Sequence, residues 1–171
     1  IQFSNIKFYS NKLFTFPTSY KDNEKLGVEL HHIKGTVYDR GGSATNRQEA
    51  KVLMEHVVLQ LKKDPSKSIG VVALSQRQQS AIRQEKDLLI NTNPELHELF
   101  EKGNLQSKFF IKNLETVQGD ERDIIYISVG YGKDKNNKLS MAFGPINKEG
   151  GERRLNVLIS RAKEKVNVFS S

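Results

Sequence analysis

Residues 69–74 read IGVVAL and residues 124–129 read IIYISV. Each is a continuous apolar run of strand length, without the alternation of a strand that faces water on one side. Such runs suit strands covered on both faces, which requires helices above and below the sheet. The flanking segments supply them. Asn46 precedes a helical pattern as an N-cap, with Glu49 three residues on, and Val52, Leu53, Val57 and Leu61 give that helix its apolar face. It should end near Lys63, because Asp64 precedes Pro65 and the residue before a proline is driven out of the helical region. A second helix is expected over residues 76–90 and a third over 94–100. Residues 109–114 and 166–169 read as further strands, and residues 28–37 carry one or two short ones. Residues 1–27, with Pro17 and a polar run from Ser19 to Lys25, read as irregular. Gly41-Gly42-Ser43 reads as a turn and KDKNNK, residues 133–138, as a solvated loop.

Strands therefore alternate with helices, and the expected fold is α/β, a mostly parallel sheet with helices on both faces. In such sheets ligands sit outside the carboxyl ends of the strands. The loop after 109–114 and the loops flanking the last helix are the places where a site is expected.

A chain of 171 residues suits one domain with its own core. It has no Cys, so neither a disulfide framework nor a thiolate metal cluster can form. No apolar run approaches membrane-spanning length, so no membrane partner is expected and a cytoplasmic location is. The chain opens IQFSN, without Met and without a signal-peptide pattern, which reads as a piece of a longer protein. The formal charge of +7 is compatible with a polyanionic partner or with solubility alone. No G-x-x-x-x-G-K-[ST] and no G-x-G-x-x-G occurs, so the chain carries no phosphate-cradling loop of either kind. His31, His32, His56 and His97 lack metal-ligand spacing.

Two stretches stand out. Residues 114–123, LETVQGDERD, form a polar loop between two apolar strands. Gly119 permits a tight turn or a close backbone approach there. Thr116 and Gln118 bring neutral hydrogen-bonding groups, and Asp120, Glu121 and Asp123 bring acceptors. By composition alone this is a solvated loop. Residues 153–163, RRLNVLISRAK, predict a helix with an apolar stripe of Leu155, Leu158, Ile159 and Ala162. On such a helix Arg154 and Arg161 stand about 20° apart at the edge of the stripe. They read either as salt-bridge partners of nearby carboxylates or as a phosphate clamp, since the planar guanidinium fork matches phosphate oxygens.

Together these stretches resemble a known family. TVQGDERDII, residues 116–125, resembles motif V of superfamily 1 helicases in the Q-G-x-E-x-D form of the nonsense-mediated-decay helicase group. RRLNVLISRAK resembles their motif VI, NRQEA at 46–50 their N-R-x-E-A helix start, and IGVVALSQRQ at 69–78 their motif IV. Order and spacing agree over residues 46–169, and residues 1–17 resemble the segment that follows the group's Y-R motif. The chain departs from the pattern at Leu74-Ser75, where P-Y is frequent, and at Gly130, where S-V-R is frequent.

The resemblance implies that residues 1–171 form the second RecA-like domain of a two-domain motor. ATP with Mg²⁺ would be held mainly by a first RecA-like domain of the same protein. Arg161 matches the motif VI arginine finger. Glu121 matches the acid near the nucleotide, and Gln118, Gly119 and Arg154 fall on the nucleotide side of the motifs. Thr116 and Gln78 match positions on the side of a single-stranded nucleic acid. Lys12, Lys21, Lys133, Lys135 and Lys138 are candidates for following a phosphate backbone. A non-catalytic nucleic-acid-binding or protein-interaction module on the same fold is the alternative.

Overall fold

The computed structural model describes residues 2–14, 26–101 and 108–171. In chain order the elements are α1 (Gln2–Phe8), β1 (Gly27–His32), α2 (Arg47–Lys63), β2 (Ile69–Ala73), α3 (Gln76–Thr92), α4 (Pro94–Glu101), β3 (Phe109–Asn113), β4 (Arg122–Ser128), a 3-10 turn at Gly144–Asn147, α5 (Gly151–Ile159) and β5 (Ala162–Ser170). The five strands form one sheet in the order β1-β5-β4-β2-β3, and every pairing is parallel. The α/β expectation is met, and the sheet is wholly parallel where a mostly parallel one was expected.

Alternation along the central strands separates two cores. Ile69, Val71 and Ala73 of β2, with Ile124 and Tyr126 of β4, face α2, α3 and α4 and pack on Leu53, Met54, Val57, Leu61, Ile82 and Phe100. Val72, Ile125, Ile127 and Val166 face the other way, onto Leu114, Val117 and Leu158. Every residue of β2 is buried, as expected of a strand covered on both faces. Gly70 has little space above it: a Cβ there would run into the Phe110 ring and the Ile125 side chain.

Helix ends follow their local chemistry where that chemistry is present. The Asn46 side chain accepts from the Glu49 N–H and opens α2, the Ser75 side chain accepts from the Gln78 N–H and opens α3, and α2 stops at Lys63. Three expectations change. The segment expected to be irregular begins with α1, whose Asn5 side chain clasps the Leu13 backbone by two hydrogen bonds. The strand expected over 166–169 is longer and starts at Ala162. The helix expected over 153–163 starts at Gly151 and ends at Ile159, which leaves Arg161 outside it. Gly151 suits the start because a Cβ there would overlap the Ile146 carbonyl. Pro17, Lys21 and the polar run to Lys25 lie outside the described residues. No helix among the described residues is long and apolar enough to cross a membrane.

Candidate functional site

The connection from β3 to β4 must cross the sheet, because the strands are parallel and β2 lies between them. Residues 114–121 make that crossing without a helix. They run from the carboxyl end of β3 to the amino end of β4. The helix α5 makes the same journey from β4 to β5 on the same face, held by Leu158 against the core that contains Leu114 and Val117. The two stretches singled out in the sequence thus lie side by side.

A cleft of about 440 Å³ opens between them, lined by Glu115, Val117, Gln118, Arg153, Arg154 and Val157. Gln118 is exposed, and Arg153 has no hydrogen bond or ion pair with any described residue. Arg154 donates from Nη1 to the Pro145 carbonyl at 3.2 Å. Neither nearby carboxylate pairs with Arg154: Asp120 is taken by Lys112, and Glu152 forms no ion pair among the described residues. Gly119 turns the loop with φ +87°, and open space surrounds the site of its missing Cβ. Its freedom therefore serves the turn and not a close approach.

At the far end of the crossing, the Arg122 N–H donates to the Arg161 carbonyl at 3.0 Å. This bond joins the two stretches directly. Arg161 occupies the turn between α5 and β5. Its Nε donates to the Val157 carbonyl at 3.1 Å, which fixes the root of the guanidinium. Neither terminal nitrogen has a partner among the described residues, and no carboxylate forms an ion pair with the group. The salt-bridge alternative for Arg161 therefore finds no support. What steadies Arg161 is a side chain to backbone bond in a turn, not a place on the helical stripe. Glu121 is exposed at the neighbouring strand start, with its carboxylate unbonded. Both residues stand at the amino ends of their strands, opposite the edge where a site was expected. The reason is topological: each crossing returns the chain to that edge.

Thr116 is exposed at the carboxyl end of β3, where its hydroxyl exchanges hydrogen bonds with Asn113. Gln78 differs from its expected role. It is wholly buried and hydrogen-bonded at both amide atoms. Its Oε1 accepts from the Asn46 N–H at 2.8 Å, and its Nε2 donates to the Asn46 carbonyl and to Ser128 Oγ at 3.0 Å each. A side chain without exposed surface touches no strand in solution, so Gln78 is corrected to a frame residue.

The same network holds Glu49. The spacing predicted that its carboxylate would reach back to Asn46, but Gln78 occupies that N–H. Glu49 Oε1 instead accepts from Ser128 Oγ at 2.6 Å and from the Gly130 N–H at 2.7 Å. Its Oε2 is buried with no partner. Burial pushes the carboxyl up from 4.5 to about 7, against the hydrogen bonds from Ser128, Gly130 and Val129 that lower it. The folded state therefore holds a proton that the unfolded chain releases. Stability from this group falls as pH rises from 4.5 to about 7 and is flat above. The loss is on the order of 3 kcal/mol. Glu49→Gln keeps the shape and cannot ionise. Unfolding in urea at pH 5 and pH 8 should show the variant gaining on the wild type by about that much at pH 8. A difference unchanged with pH would contradict the assignment. No sequence rule pointed to its burial, because its partners, Ser128 and Gly130, lie at the end of β4 and just beyond, about 80 residues away.

Among the described residues no group of three or more His, Cys, Asp or Glu is arranged to hold a metal ion. The cleft and the Arg161 turn instead offer guanidinium and amide donors, which suit phosphate oxygens.

These features define a class, a parallel α/β domain that presents arginines along one face of its sheet. The family model described as the AAA domain matches residues 1–171, and the chain belongs to that family. It is 35% identical over 175 residues to an uncharacterized ATP-dependent helicase of Mycoplasma genitalium. It is 34% identical over the same length to a homologue of that protein in Mycoplasma pneumoniae. Both alignments take in the whole of this chain and 15% of the relative, so the chain spans about one-seventh of their length. Among solved structures it is similar to the C-terminal domain of a possible DNA helicase from Lactobacillus plantarum. That match has 13% identity and a TM-score of 0.38 and covers 86% of this chain and 74% of the other. A likeness of that size adds nothing to the fold described above.

Proposed function

We propose that this chain is the second RecA-like domain of a superfamily 1 helicase or translocase motor, the part that faces the nucleotide from across an interdomain cleft. The observation that carries the reading is Arg161: its root is fixed on Val157 and its two terminal nitrogens are unpaired among the described residues. Such a guanidinium is prepared to meet an anion supplied from outside the domain. Support comes from the names of the two relatives, from their far greater length, and from the resemblance of residues 116–125 and 153–163 to motifs V and VI.

When bound, ATP with Mg²⁺ supplies a transferable γ-phosphoryl group, held mainly by a first RecA-like domain. Arg161 neutralises charge on that group as it transfers. Glu121, beside it, orients the nucleotide's sugar side, while Gln118 and Arg154 line the intervening cleft and relay its closure toward Thr116. Thr116 and nearby lysines, among them Lys12, Lys133, Lys135 and Lys138, follow a single strand through its phosphates. The grouping with nonsense-mediated-decay helicases rests on the Q-G-x-E-x-D loop.

The chain by itself should hydrolyse no ATP, since it lacks a phosphate-cradling loop. Steady-state phosphate release by the purified 171-residue chain tests this. Turnover that a substitution within this chain abolishes would overturn the division of labour.

A further inference from the structure

Arg47 and Arg77 open two neighbouring helices, α2 and α3, and line one cleft of about 400 Å³ with Ser43, Thr45, Ser80 and Gln84. Both arginines are exposed. Among the described residues Arg77 makes no side-chain hydrogen bond or ion pair, and Arg47 makes only a long contact from Nη2 to Gln84 Oε1 at 3.5 Å. No acidic side chain lines the cleft.

The pair is held by a buried tie directly beneath it. Arg47 follows Asn46, and Arg77 precedes Gln78. The Gln78 amide takes the Asn46 N–H at 2.8 Å and gives to the Asn46 carbonyl at 3.0 Å, so the two helix starts are cross-linked by a double hydrogen bond. Asn46 is further bonded to Thr36, and Gln78 to Ser128. Two like charges are thereby rooted on one rim, and neither forms an ion pair among the described residues. The hydroxyls of Ser43, Thr45 and Ser80 are spent within the protein, on Asp39, on each other and on the Gln76 carbonyl, so the donors left for an anion are the two guanidiniums.

We propose that this cleft binds a phosphate group, and that in the working protein the phosphate is a backbone phosphodiester of a single-stranded nucleic acid. The second half rests on the motor reading above. The cleft lies at the carboxyl edge of the sheet, as Thr116 does, so a strand crossing that edge passes both. Gln78 then acts as a positioning residue: it never touches the strand but sets the spacing of the two guanidiniums that do.

The test uses the 171-residue chain and a fluorescein-labelled twelve-nucleotide oligothymidylate, titrated at several salt concentrations. Arg47→Gln/Arg77→Gln should weaken binding on the order of 10- to 100-fold at low salt, the weight of one or two charge-assisted hydrogen bonds. It should also reduce the salt slope by about 1.4, two contacts at about 0.7 each. Lys62→Gln/Lys63→Gln removes the same charge from the exposed far end of α2 and should weaken binding only slightly. Equal melting temperatures for the three proteins keep the comparison to binding. If the two double variants weaken binding equally, the cleft is not the site, while nucleic-acid binding by the domain stands. If the wild type binds no oligonucleotide at low salt, the cleft and the strand-binding part of the motor reading fall together. Inorganic phosphate should compete only at far higher concentration than unlabelled oligonucleotide. Competition at equal concentrations would assign the cleft to free phosphate and overturn the strand.

Discussion

Arg161→Ala, in a longer polypeptide that carries both motor domains, is expected to lower kcat for ATP hydrolysis by on the order of 10³- to 10⁵-fold. Nucleotide affinity should change far less, because the guanidinium acts mainly as charge spreads over the transferring phosphoryl oxygens. Arg161→Lys should recover little of the rate, since a point charge does not reproduce the planar fork. The fold should tolerate both changes. Arg161 lies in the turn after α5, so helix propensity does not enter, and the alanine variant loses one side-chain bond, from Nε to the Val157 carbonyl. Such a bond contributes about 1 kcal/mol. That corresponds to a melting temperature lower by about 2–4 °C in a domain of this size. If Arg161 were only structural, turnover per folded molecule would stay near the wild-type value while the melting temperature fell. Measuring kcat, nucleotide Kd and melting temperature on one preparation separates the outcomes.

The second large effect is on stability. Gln78→Leu places a similar volume in a fully buried site but leaves the Asn46 N–H unpaired and removes one bond each from the Asn46 carbonyl, which keeps the Ala50 N–H, and from Ser128 Oγ, which keeps Glu49. An unpaired buried N–H costs about 1–3 kcal/mol, and each of the other two lost bonds about 1 kcal/mol. A loss of roughly 3–5 kcal/mol is expected, which lowers the melting temperature by about 10 °C. Because the same amide ties α2 to α3, oligonucleotide binding measured well below the melting temperature should also weaken. A variant that melts with the wild type would mean that Asn46 finds substitute partners and that the tie is dispensable.

The central strands and the three helices on one face were legible because their signals are local. Continuous apolar runs mark β2 and β4, and an Asn cap and a Pro mark the ends of α2, whereas the Ser75 cap of α3 was not singled out. The end of α5 was not legible. The stripe of Leu155, Leu158 and Ile159 continues in sequence through Ala162, but Arg122 claims the Arg161 carbonyl and β5 begins. A pairing made 39 residues away leaves no mark on periodicity. For the same reason α1 was missed, since Asn5 stabilises its loop through Leu13 rather than through a repeating face. The candidate site divides similarly. The sequence pointed to Gln118, Glu121, Arg154 and Arg161, and the structure brings their two segments together on one sheet face. It did not distinguish Gln78, whose burial is decided by β4 and α2, from an exposed polar residue. Nor did it single out Arg47 and Arg77, which become a pair only when the helix starts are tied.

The most direct measurement of the central claim is steady-state ATP hydrolysis by the longer protein, with and without a single-stranded oligonucleotide, for the wild type and for Arg161→Ala. Hydrolysis stimulated at least about tenfold by the strand is expected in the wild type, and loss of turnover on the order of 10³-fold or more in the variant. A wild type that hydrolyses no ATP in either condition, or a folded variant that keeps near-normal stimulated turnover, would contradict it.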